Sequence, residues 1–337
     1  MNIVSSIKCR RSIGIIVILI VLSAGMFVLN VMLGERTVPA VEVFRSLAGI
    51  GSEEYRFTIH QLRLPRALTG FLVGCSLALS GTILQVITRN PLASPGVIGL
   101  NSGAAAAVVA VMVLVPSFPM SQFPWIAFGG AFIATAVIYT LSWRKGGGSS
   151  TVRMLLIGAG ISAMAGGLIT YFLTVGEIFR VSQATVWMAG SLYGRTWEHF
   201  WPLLPWLLIL FTLLIGMTRY LDMFLLDMES AAGLGLRVET MRVLFILISV
   251  GLAGSAVSMA GTIAFVGLMA PHIAKHLVGS RSLVRLPVAA LVGGLLVMGA
   301  DAAGRNLFSP FEIPAGLITA FVGAPYMVYL LLRRRAV

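Results

Sequence analysis

Few side chains in this sequence are spaced for chemistry. His272 and His276 stand four apart, which on a helix puts both imidazoles on one face, as in a two-ligand metal site. No cysteine or carboxylate stands nearby to complete such a site. Lys275 and His276 read more simply as cations at a helix C-terminus, where the macrodipole favours them. In "RLPR", Arg63 and Arg66 fall about one turn apart, and Asp301 and Arg305 have the i, i+4 spacing of a helical ion pair. A basic cluster of this kind could steer an acidic partner, pair locally, or snorkel to lipid headgroups; residue types alone leave these open. The sequence contains no Gly-Lys-Ser/Thr, H-E-x-x-H, C-x-x-C or G-x-S-x-G, so a P-loop ATPase, a zincin and a nucleophile-elbow hydrolase are all disfavoured. Its two cysteines, Cys9 and Cys75, imply no disulfide framework. Asp301, Glu312, Glu177 and Glu198 all read as flanking loops, and none as mid-span. That argues against proton or sodium coupling, which usually buries a carboxylate in a span.

The elements that must position these residues are membrane helices. The 337 residues are 58% hydrophobic and 11% charged, with a mean hydropathy of +0.96, against roughly 25% charged for a soluble domain. Apolar runs cover 13–33, 67–87, 92–115, 123–143, 154–175, 200–218, 243–270, 286–300 and 313–332. The first is too long for a signal-peptide core and reads as an uncleaved helix. Nine spans would put Lys8-Arg10-Arg11 and Arg333-Arg334-Arg335 on opposite sides. Splitting 243–270 near Met259, inside "GLAGSAVSMAG", gives ten spans and both ends inside. Sixteen of the 24 Lys and Arg residues then fall inside with four of the 12 acidic ones, while the outer charges cancel. The +12 formal charge therefore marks topology, and no basic array outside the spans suggests nucleic acid. The expected fold is all-α and polytopic, a single membrane domain over 1–337.

Two interrupted stretches share a spacing. "GTILQVITRNPLASPGVIG" (81–99) and "GTIAFVGLMAPHIAKHLVG" (261–279) match at Gly81/Gly261, Thr82/Thr262, Ile83/Ile263, Val86/Val266, Pro91/Pro271 and Gly99/Gly279. An odd number of crossings separates them, so they read as an inverted repeat with turns at Asn90-Pro91 and Pro271-His272, as in many transporters. Gly70/Gly74, Gly99/Gly103 and Gly190/Gly194 have the spacing that lets helices approach closely. The longest inner loop, 219–242, places Met223, Leu226, Ala231 and Leu234 before a break at Gly235. It predicts two short amphipathic helices, either docked to a partner or resting on the membrane.

Taken together, "LRLPRALTGFLVGCSLALSGTILQVITRNPLASPGVIGLNSGA", "VWMAGSLYGRTW", "AAGLGLRV", the 261–279 stretch and "DAAGRNLFSPFEIPAGLITAFVGAPYMVYLL" resemble the FecCD family of ABC-importer permeases. The resemblance runs in order from Leu62 to Leu331. It implies a ten-helix subunit of the bacterial cytoplasmic membrane, paired with an identical or different second permease. Two ATPase subunits would hold the ATP, and an extracellular or lipid-anchored binding protein would deliver a metal-chelate cargo. It implies no cofactor and no catalysis in this chain. Cargo within the family is iron-siderophore, haem or cobalamin; an ATP-independent secondary transporter and a membrane scaffold are the readings from other classes. By resemblance, Arg63, Arg66 and Arg305 face acidic residues of the binding protein. Leu225, Leu226, Glu229, Ala231, Leu234 and Gly235 contact the ATPases, and Asp227 departs from a family glycine. Asn90, Leu92, Thr151 and Val152 match elements that close the pathway.

Overall fold

The computed structural model describes residues 2–34, 36–144, 148–149, 151–226, 228–307 and 311–334. In lipid the backbone must satisfy its own hydrogen bonds, so the apolar runs are helical. Helix α1 (Asn2–Met32) is followed by the short α2 (Ala40–Leu47) and α3 (Glu53–Phe57), a π-helical turn (Thr58–Arg63) and the long α4 (Leu64–Ile87). Then come α5 (Leu100–Leu114), α6 (Phe123–Ser142), α7 (Thr151–Val175), α8 (Ile178–Met188) and α9 (Trp197–Gly216). The short α10 (Thr218–Met223) and α11 (Met228–Gly233) precede α12 (Val238–Ala260), α13 (Val266–Val278), α14 (Ser282–Asn306) and α15 (Ala315–Arg334). Among the described residues the only strands are β1 (Trp143–Arg144) and β2 (Gly148–Ser149), an antiparallel pair between α6 and α7.

Seven described helical stretches are long and apolar enough to cross a membrane, and α5 and α15 are shorter apolar helices. The split of 243–270 is present: α12 ends at Ala260, where Gly261 takes φ +73°, and α13 starts at Val266. The run expected at 92–115 is helical only from Leu100. Pro91, Pro95, Gly96 and Gly99 precede that residue, and neither proline can donate the backbone hydrogen bond a continuing helix needs.

Helix α4 lies at the centre, buried on nearly every face, and small residues let its neighbours come close. A Cβ on Gly74 would lie 2.2 Å from the Gly293 carbonyl oxygen of α14. One on Gly81 would lie 1.7 Å from the Gly267 oxygen of α13. Pro271, four residues on, has no N–H to give that oxygen, so the carbonyl is free to face Gly81. Gly103 and Gly130 bring α5 and α6 together in the same way. The other expected packing pair does not behave so: Gly190 and Gly194 lie in the loop after α8, both at positive φ.

The two interrupted stretches differ in local structure, which corrects the expectation of matching turns. In the first, Gly81 to Ile87 are helix and the break follows at 88–99. In the second the break comes first, at 261–265, and Pro271 and His272 are buried inside α13. Gly261 and the left-handed Phe265 end one helix and open the next, so Pro271 falls beyond the break. An inner-helix proline is tolerated where packing fills the vacated carbonyl.

Candidate functional site

The breaks meet in space. Ser94, Pro95 and Val97 from the first, with Ile263, Phe265 and Leu268 from the second, wall a cavity of about 210 Å³. Phe265 holds φ +66°, a conformation that costs a non-glycine residue about 1 kcal/mol or more. Below α4 the chain turns through Arg89 at φ +50°. Asn90 Oδ1 accepts the Leu92 N–H at 2.9 Å, a side-chain turn that fixes the start of the break. Asn90 and Leu92 thus occupy a defined turn. Val152 projects, exposed, from the first turn of α7. Thr151 opens the same helix, but its side chain lies outside the described residues.

Arg89 ties this turn to the 219–242 loop, a role not assigned to it from the sequence. Its Nε donates to the Phe224 carbonyl at 2.8 Å, and its Nη2 to the carbonyl of Leu226. The loop carries two short helices, α10 and α11, followed by a turn. Leu236 N–H bonds to Ala231 O (3.1 Å) and Gly235 N–H to Ala232 O (2.9 Å), with Gly235 at φ +87°. This 6→1 and 5→2 pair is the Schellman ending that "AAGLGL" encodes. Leu225, Leu226, Glu229, Leu234 and Gly235 are exposed. Ala231 is not: it packs into the core with Leu236, because a one-turn helix must bury one side. Asp227 lies outside the described residues. The Asp222 carboxylate accepts the Ser282 N–H at 2.8 Å and so satisfies an orphan donor at the start of α14.

At the opposite ends of α4 and α14 the three arginines turn inward. Arg63, 8% exposed, donates to the carbonyls of Val31 (2.8 Å), Met32 (2.9 Å) and Arg36. Arg305 donates to Asn30 O (3.1 Å) and Asn30 Oδ1 (2.7 Å). Helix α1 ends here, and its last carbonyls lack helical partners; the Val38 N–H reaches Met32 O at 2.9 Å, and the two guanidinium groups supply further donors. Asp301 is 3% exposed and lies inside α14 rather than beside a loop. It pairs with Arg66 at 2.8 Å and with Arg305 at 3.3 Å, the expected i, i+4 pair. Arg66 also reaches the partly exposed Glu312 at 3.0 Å. In the adjoining loop, burial pushes the Arg195 guanidinium down to about 10, so it remains cationic at neutral pH.

His272 and His276 approach to 3.0 Å between their Nε2 atoms. Among the described residues no group of three or more His, Cys, Asp or Glu could hold a metal ion.

The chain resembles known transport proteins along nearly its whole length. The model of the FecCD transport family matches residues 17–333. A protein of Bacillus subtilis described as a probable siderophore transport system permease, YfhA, is 41% identical over 95% of both chains. The Fe(3+)-citrate import system permease YfmE of the same organism is 38% identical over 96% of both. A solved structure, described provisionally as a metal-chelate type ABC transporter in an inward-facing conformation, superposes with a TM-score of 0.85. It is 28% identical and covers 95% of this chain and 99% of that one. A multi-pass, all-α membrane chain with these relatives belongs to the FecCD transport family.

Proposed function

We propose that this chain is the permease subunit of an ATP-driven importer that moves iron-siderophore complexes inward across the bacterial cytoplasmic membrane. It forms one membrane domain of ten spans, with α13 the shortest, and both termini lie in the cytoplasm. It pairs with a second permease around a shared pathway and performs no covalent chemistry; ATP is hydrolysed on two partner subunits. The observation that carries the reading is the Arg89 link. A loop exposing Leu225, Leu226 and Leu234 is tied by hydrogen bonds from the Arg89 side chain to its carbonyls, and so to the turn that interrupts the central helix.

On this reading the ATPases grip 222–237. Their closure on ATP pulls the loop, Arg89 passes the displacement to Asn90 and Leu92, and the paired breaks open or close the pathway. Thr151 and Val152 form the second part of that gate. ATP biases the equilibrium only through its different affinity for the two arrangements. A binding protein docks on the opposite face, with one of its carboxylates replacing Glu312 as the outer partner of Arg66. Arg63 and Arg305 act indirectly there, by fixing the end of α1.

Co-purification tests the reading: the chain should bring down a nucleotide-binding subunit, and deleting 226–235 should abolish that capture. Capture that survives the deletion would place the ATPase contact elsewhere. The cargo is read by growth rescue with individual ferric siderophores under iron starvation.

A further inference from the structure

A second cavity lies on the side of the 219–242 loop, with a volume of about 850 Å³. Its polar wall includes Gln85, Arg89, His272, Lys275, His276 and Arg285, and no Asp or Glu lines it among the described residues. Leu225 and Leu330 add an apolar edge. One-signed clusters focus a field that concentrates counter-ions.

Arg285 is the informative member. It is 3% exposed, yet among the described residues its guanidinium has one neutral partner, Gln85 Oε1 at 2.9 Å, and its buried Nε is unsatisfied. Gln85 is itself fixed, its amide donating to Leu268 O at 3.2 Å, so its oxygen is turned to hold the arginine in place. A buried guanidinium without a carboxylate is costly, and its planar donor fork matches oxyanions. Asp222, at the start of the same helix, is engaged by the Ser282 N–H.

We propose that this cavity binds a phosphate group, with Arg285 as its buried anchor and Lys275 and His276 as its exposed arms. The group comes either from a free phosphate or from the headgroup of an anionic phospholipid; basic pockets between membrane helices suit such headgroups. The site shares Arg89 and Leu225 with the coupling link, but the transport reading does not require phosphate binding, and its failure would leave that reading untouched.

The test uses the purified full-length chain. Thermal midpoints are read in detergent against inorganic phosphate at constant ionic strength, and in nanodiscs of phosphatidylglycerol against phosphatidylcholine. A saturable rise with phosphate identifies the free anion as sufficient; a rise with phosphatidylglycerol alone identifies the headgroup. In either case Arg285→Gln should abolish the rise, and the doubly exposed variant Lys275→Gln/His276→Gln should weaken the apparent affinity about tenfold. If Arg285→Gln does not fold, the exposed double variant decides. No rise with either probe, or an equal rise in the variants, overturns the proposal.

Discussion

Arg89→Ala is the perturbation that speaks most directly to how loop motion reaches the pathway. Hydrogen bonds involving a charged group contribute about 1.5–3 kcal/mol each. Arg89 reaches the surface, so the lower figure applies, about 3 kcal/mol for its two bonds. The left-handed backbone at Arg89 costs about 1 kcal/mol of this. The net anchor is then about 2 kcal/mol, roughly a 30-fold preference for the tied arrangement. Alanine removes both bonds and keeps the strained φ, so the turn should detach from the loop while both elements still fold. With the ATPase subunits in proteoliposomes, the complex should assemble normally and hydrolyse ATP. The ATP consumed per cargo molecule should rise about tenfold or more, since 1.4 kcal/mol is already a factor of ten in an equilibrium. Arg89→Gly, which also relieves the backbone, should uncouple equally. A wild-type ATP-to-cargo ratio in both variants would refute the link.

Asp301→Ala leaves the guanidinium groups of Arg66 and Arg305 buried without their shared carboxylate. The loss should be about 3–5 kcal/mol, read as a sharp fall in the detergent thermal midpoint, and Asp301→Asn should fall less. Gly81→Val sets a side chain into the backbone of α13, where Gly267 O leaves 1.7 Å for a Cβ. Neither helix can yield that distance, so the variant should fail to accumulate in the membrane. The neighbouring Thr82→Ala, which removes a hydrogen bond made only within its own helix, should accumulate normally. Glu312→Gln should leave the fold intact and change the affinity for the binding protein in a binding assay, because it alters the outer partner of Arg66 and not the buried pair. Arg66→Ala should instead lose both docking and stability.

Much of the scaffold was legible because hydropathy and proline–glycine punctuation act locally. The break near Met259 followed from an over-long apolar run, and the break at Gly235 from the glycine that follows a short apolar stripe. The Arg305–Asp301 pair followed from i, i+4 spacing. What could not be read was set by contacts distant in sequence. Arg63 meets carbonyls some 31 residues away, and Arg66 meets a carboxylate 235 residues away. A charge near a helix end looks the same in sequence whether it faces a partner protein or caps a neighbouring helix. Matching residues likewise predicted matching turns in the two interrupted stretches, but the break falls after the shared Gly-Thr-Ile in one and at it in the other. Local backbone conformation there is decided by Gly261 and Phe265, and not by the shared proline. Arg89 offered one usable signal, a lone arginine between an apolar span and Asn-Pro.

Reconstituted uptake separates an ATP-driven permease from its rivals. Liposomes carrying this chain with its permease partner and ATPase subunits, supplied with a loaded binding protein, should accumulate radiolabelled ferric siderophore only when ATP is enclosed. Dissipating ion gradients with ionophores should leave the uptake unchanged. Uptake by the permease chain alone, without ATPases and driven by an imposed proton or sodium gradient, would contradict the reading.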